Sequence, residues 1–228
     1  MGGALPLIAV IGGSGALGGG LAARWAAAGY AVIIGSRTAE KAAAAAASIP
    51  QAQGAPPVGG LDNRAAAAAA EIVVVSVPYA GHEAILAEIA PAAQDKILVD
   101  TTVPLVPPKV ATVQLPAAGS AALAAQRLLG PRVRVVSAFQ NVAAHKLKHL
   151  QAAIDCDVLV TGDDRAAREA VVALAAAAGL RGIEAGPLAN SVAAEALTSI
   201  LIGINRRYKV DGAGIRITGA LSVAAAGR

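Results

Sequence analysis

The sequence predicts an α/β protein: a parallel sheet with helices on both faces and a small C-terminal α/β extension. Three observations predict it. Short β-branched runs alternate with longer alanine-rich stretches along the whole chain. The first of those runs leads directly into Gly13-Ser14-Gly15-Ala16-Leu17-Gly18. The 228 residues are 56% hydrophobic and only 15% charged, enough apolar surface to offset the chain entropy lost on folding.

Taken in order, the first strand is 7–11 and the first helix 15–28, whose alanine, leucine and tryptophan favour helix and which Gly29 stops. A second strand, 31–35, completes a strand-helix-strand unit. The alanine runs 42–47 and 65–70 read as helices with small side chains, flanked by Glu40 and Lys41 and by Arg64 and Glu71. Residues 48–60, rich in Pro, Gly and Gln, read as the loop between them. Further strands follow at 72–75, 97–99, 133–137, 157–161 and 182–184. Pro104, Pro107, Pro108 and Pro116 exclude a continuous helix over 101–116, a long loop of the kind that is usually functional. Residues 193–205 carry Leu197, Ile200, Leu201 and Ile204 at helical spacing and read as an ordinary core helix ahead of an oligomer seam. These elements divide the chain into a nucleotide-binding domain, 1–150, and a smaller C-terminal domain, 151–228.

Composition narrows the function. With aromatic residues at 2%, stacking platforms for single-stranded nucleic acid are excluded. The net charge of +4 is scattered, and a small phosphorylated ligand accounts for it. The lone Cys156 forms no internal disulfide, and no Cys/His cluster supplies metal ligands, which points to a reducing cytoplasm. The uncharged stretch 1–23 lacks the basic start of a signal peptide, and no run strongly apolar enough to span a bilayer is read elsewhere.

The glycine hexapeptide fits G-x-G-x-x-G between a strand and a helix, the phosphate-binding turn of a Rossmann-type dinucleotide fold. One glycine makes the tight turn, one lets the pyrophosphate approach, and one lets helix and strand pack closely. The second strand leads into Ser36 and Arg37, with Lys41 a helical turn on and no acid of the kind that would bind the ribose of NAD; this selects NADP. A conventional carbonyl dehydrogenase needs a proton donor, and none is evident. His82, near a helix start, and His145 and His149, beside Lys146 and Lys148, read as surface histidines. No catalytic residue is assigned.

Further segments carry a resemblance: Ser76-Val77-Pro78-Tyr79, Val135-Val136-Ser137-Ala138-Phe139, Thr161-Gly162-Asp163-Asp164 and Ala185-Gly186-Pro187-Leu188-Ala189-Asn190-Ser191. With the glycine turn and Gly35-Ser36-Arg37, the chain resembles the NADPH:coenzyme F420 oxidoreductase family over nearly its full length. A homodimer is expected, in the cytoplasmic setting that the lone cysteine indicates, and the resemblance implies direct hydride transfer between NADP and a deazaflavin. It places Ser14, Ser36, Arg37 and Lys41 at the 2′-phosphate, Ser76 to Tyr79 along the cofactor, and Ala138, Phe139, Gln140, Asn141 and Val142 beneath the nicotinamide. It sets the apolar loop 103–106 beside the deazaflavin. Gln140 stands where archaeal members have histidine, so no group there carries a proton charge. A flavin (FMN or FAD) as acceptor and a non-catalytic NADP-binding sensor stay open.

Overall fold

The computed structural model describes residues 5–50, 54–219 and 221. Its chain order is β1 (Ile8–Ile11), α1 (Ala16–Ala27), β2 (Val32–Ser36), α2 (Ala39–Ala47), β3 (Gly59–Asp62), α3 (Asn63–Ala69), β4 (Ile72–Val75) and α4 (Tyr79–Ile89). Then come β5 (Ile97–Asp100), α5 (Ala121–Leu129), β6 (Arg134–Ser137), β7 (Asp157–Gly162), α6 (Arg165–Ala177), β8 (Arg181–Glu184) and α7 (Ser191–Tyr208). A short 3₁₀ turn, Ala144–Lys148, precedes β7, and another, Leu188–Asn190, leads into α7.

The eight strands form one sheet in the order β3-β2-β1-β4-β5-β6-β7-β8. Neighbours are parallel except β6 and β7, which run antiparallel, so the C-terminal extension continues the sheet from its far edge. The register lines up Gly35, Ile11, Val75, Asp100 and Ser137 across the sheet. Every loop leaving that row emerges at one end, and the chain reverses its direction of travel between β1 and β4, where such sheets bind ligands.

Period-2 alternation splits the strands between two cores. Ile8, Val10, Val74 and Val99 face Leu21, Trp25 and Leu174 from α1 and α6; Ala9, Ile11, Val73 and Leu98 face Leu86, Ile89 and Leu129 from α4 and α5. Small residues set the helix distances. A Cβ on Gly20 of α1 would lie 2.5 Å from the Leu147 Cβ, and one on Gly60 of β3 would lie 2.4 Å from the α2 backbone. The second contact explains a correction: residues 59–60 of the expected loop are strand. Glycine weakens a strand signal, but here it lets an edge strand pass beneath α2. Residues 51–53 of that loop lie outside the described residues.

Helix α7 also departs from expectation. It is no ordinary core helix: Leu201 is buried, but Ile200 and Ile204 are 49% and 36% exposed. Leu188–Tyr208 is also long and apolar enough to cross a bilayer by length and composition, where no such run is expected from the sequence. One third of it is buried against the protein, and it carries the buried Glu195.

Candidate active site

The glycine turn lies at the exit of β1. The residue in the left-handed region is Gly12, at φ 83°, one place before the hexapeptide. A Cβ on Gly12 would sit 2.3 Å from the Ser76 carbonyl oxygen. Gly13 packs under Ile34, and a Cβ on Gly18 would come to 2.9 Å from the Gly12 oxygen and 3.2 Å from the Ser76 Cβ, which is the close helix-to-strand approach the motif needs. Gly15 is the N-cap of α1, in extended conformation and with no side chain to offer the first-turn amides.

That absence has a pattern. Thr38, Asp62, Ser120 and Asp164 cap α2, α3, α5 and α6 through their side chains. Helices α1, α4 and α7 have no such cap; α7 continues from a 3₁₀ turn, and the N-cap of α4 is Pro78. The α1 and α4 ends open on one cavity of about 370 Å³, walled by Gly15 to Leu17, Ser76 to Tyr79 and the start of the long loop at Thr101 to Val103. Unsatisfied amides and the positive ends of two helix dipoles face this space, an arrangement suited to phosphate and carboxamide oxygens.

A larger cavity, about 760 Å³, adjoins it on the α1–α2 side and is lined by Ser14, Gly15, Lys41 and Lys148. Ser36, half-buried, ends β2, and the exposed Arg37 follows it. Asp62 pairs in register with Ser36, but its carboxylate accepts the Ala65 N–H at 2.9 Å. Glu40 is likewise turned onto its own helix start: its own amide and the Thr38 hydroxyl hold its carboxyl below the usual range. Both nearby acids are therefore engaged with helix termini. Arg37 does not line the 760 Å³ cavity, whereas Ser14 and Lys41 do.

At the other end, Ala138 and Phe139 are buried, and Phe139 holds φ 73° with its ring edge-on to Trp25 at 5.9 Å. A left-handed aromatic residue is strained, and the packing on both sides over-determines it. The turn delivers the Gln140 amide nitrogen to the Asp100 carbonyl and the Ser137 hydroxyl, 2.8 Å each. Gln140, Asn141 and Val142 wall a small cavity of about 140 Å³ against Thr198, Leu201 and Ile202 of α7. Asn141 donates to the Ala194 carbonyl at 3.0 Å.

The structure overturns one histidine reading. His82 is buried, stacks against Tyr79 with centroids 6.4 Å apart, and bonds Asp100 at 2.7 Å. The inward face of α4 meets the end of β5 there, so a residue that looks like a surface histidine becomes half of a buried pair. An acid/base pair therefore exists, although neither member lines the described cavities. Burial works against the imidazolium, but the Asp100 hydrogen bond and charge, with Glu195 and Glu83 beyond, carry the His82 pKa above its usual value. The other Asp100 oxygen accepts the Thr102 N–H at 3.0 Å, which fixes the loop wall. Glu195 accepts from the Ala121 and Ala122 amides at 2.7 and 3.1 Å; burial pushes its carboxyl up to about 8 against those bonds. Its signal in the sequence is a single acid within an apolar helix. His145, by contrast, is exposed and pairs with Asp211.

The comparisons with known proteins extend this picture. Residues 7–104 match the family model described as NADP oxidoreductase coenzyme F420-dependent. The F420-dependent NADP reductase of Methanothermobacter thermautotrophicus is 42% identical over 92% of this chain and 94% of its own length. That of Methanocaldococcus jannaschii is 39% identical over 92% and 97%. A crystal structure of a candidate F420-dependent NADP-reductase from Arthrobacter sp. FB24 superposes with a TM-score of 0.77 at 28% identity, covering 94% of this chain and all of that one. Identity at this level over nearly the whole length of both chains shows that this protein belongs to the F420-dependent NADP reductase family.

Proposed function

We propose that the chain transfers a hydride between NADP(H) and coenzyme F420 by direct ring-to-ring transfer. The observation that carries this is the identity of 42% to an F420-dependent NADP reductase across 92% of the chain. The residues present fit the dinucleotide: α1 has no side-chain cap, Gly15 at its start has no side chain, and the acids near the end of β2 are held by other groups.

In this reading the turn residues Gly13, Ser14, Gly15, Ala16, Leu17 and Gly18 hold the pyrophosphate. Ser36, Arg37 and Lys41 hold the 2′-phosphate, with Ser14 beside them. Ser76, Val77, Pro78 and Tyr79 run along the nicotinamide riboside, and Ala138, Phe139, Gln140, Asn141 and Val142 form the floor beyond it. When bound, the two rings supply the redox chemistry, exchanging two electrons and one proton together as a hydride. The protein orients them and excludes water, which requires no acid or base in contact with the reacting carbons. The division of labour is residues 1–150 for the dinucleotide and 151–228 for closing the cleft through α7. The exposed Ile200 and Ile204 support a homodimer through α7, which light scattering at the mass of one chain would remove. A cytoplasmic setting without nucleic acid or membrane partners completes the proposal.

Stopped-flow absorbance with NADPH tests it. Rapid bleaching of oxidised deazaflavin supports the proposal; bleaching of FMN or FAD alone, or tight NADPH binding without any turnover, replaces it with a flavin reductase or a sensor.

A further inference from the structure

The 760 Å³ cavity is lined by a charged residue far in sequence from the glycine turn. Its lining is made of small or apolar side chains apart from Ser14, Ser48, Lys41 and Lys148, so its two charged residues are both cations. Lys41 comes from α2, close in sequence to the turn. Lys148 comes from the 3₁₀ turn before β7, more than a hundred residues away, and nothing about local sequence requires it there.

The side chain of Lys148 is exposed, but the backbone on either side of it is clamped. The buried Arg24 of α1 donates from Nε to the Leu147 carbonyl at 3.0 Å and from Nη2 to the His149 carbonyl at 2.7 Å, the two neighbours of Lys148. The same guanidinium reaches the Ala152 and Ala178 carbonyls. Leu147 is fully buried against Gly20, where a Cβ would approach to 2.5 Å. The backbone on both sides of Lys148 is thus fixed, while its ammonium has no hydrogen-bond or ion-pair partner among the described residues. Lys96 and Lys146 differ: their ammonium groups bond backbone carbonyls.

We propose that Lys148 is a further specificity-determining residue, supplying a second ammonium to the 2′-phosphate from a different element lining the same cavity as Lys41. A phosphomonoester carries close to two negative charges at neutral pH, and two lysines from two separate elements, with no acid in the lining, match that charge. The inference rests on the NADP reading and adds a residue to it.

The test is calorimetry on the intact protein with four probes: NADPH, NADH, adenosine 2′,5′-bisphosphate and ADP. Lys148→Ala weakens NADPH and the bisphosphate about tenfold and leaves NADH and ADP within about twofold; the loss shrinks as salt is raised, and Lys148→Arg restores binding. Equal weakening of phosphorylated and unphosphorylated probes, or no weakening of either while the parent protein still prefers NADPH, overturns the role of Lys148 alone. A parent protein without preference for NADPH overturns the NADP reading itself. Thermal melting of each variant separates loss of contact from loss of fold.

Discussion

Single residues carry the geometry of the turn. Gly12 combines φ 83° with a Cβ position 2.3 Å from a backbone oxygen. Gly12→Ala is therefore expected to lose more than about 1 kcal/mol of stability and most dinucleotide binding. Gly81, inside α4 with nothing within 4 Å of its Cβ position, is the control. Gly81→Ala is expected to stabilise by about 0.4–1 kcal/mol, both read from urea unfolding. At the adenosine end, Arg37→Ala is expected to raise the Kd for NADPH about tenfold and leave NADH unchanged; equal effects on both would refute the 2′-phosphate role. His82→Ala leaves the fully buried Asp100 carboxylate with only the Thr102 amide among its side-chain partners. Breaking a buried pair costs about 3–5 kcal/mol, and His82→Gln, which keeps a donor, is expected to recover part of it in the same assay.

At the scale of elements, α7 links the site to pH. His82 and Glu195 both have native pKa values above their usual ones, so the folded state binds more protons than the unfolded state. The Glu195 contribution is complete below about 4.5 and is lost as pH rises through about 8. The melting temperature is accordingly expected to fall across that window, and Glu195→Gln to flatten the fall; an unchanged slope would place Glu195 outside the linkage. Elements also divide what could be read from sequence. The strands bounded by β-branched runs, the glycine turn and the proline-interrupted loop were legible because local propensity and tertiary role agree there. Strand β3 was not, because its two glycines exist for the approach of α2, a contact no local pattern reports. The burial of His82 was hidden for the same reason: only the fold brings position 82 of α4 to Asp100 of β5. Phe139 at φ 73° was hidden too, since packing against Trp25 overrides the preference of an aromatic side chain.

For the whole molecule, the register across five strands brings five loops to one end of the sheet, and the starts of α1 and α4, which lack side-chain caps, open on the same cavity. The sheet then continues through an antiparallel step into β7 and β8, whose following helix, α7, returns to wall the cavity beside Gln140. Under the proposed function this architecture positions two flat ligands, and the buried His82–Asp100 pair holds the loop that walls the cavity. Its central claim is that hydrogen passes directly from one ring to the other. NADPH deuterated at its reactive carbon, incubated with the protein and oxidised deazaflavin in ordinary water, tests this by mass spectrometry of the reduced product. The account predicts a reduced deazaflavin that retains the deuterium; a product carrying only solvent hydrogen would contradict it.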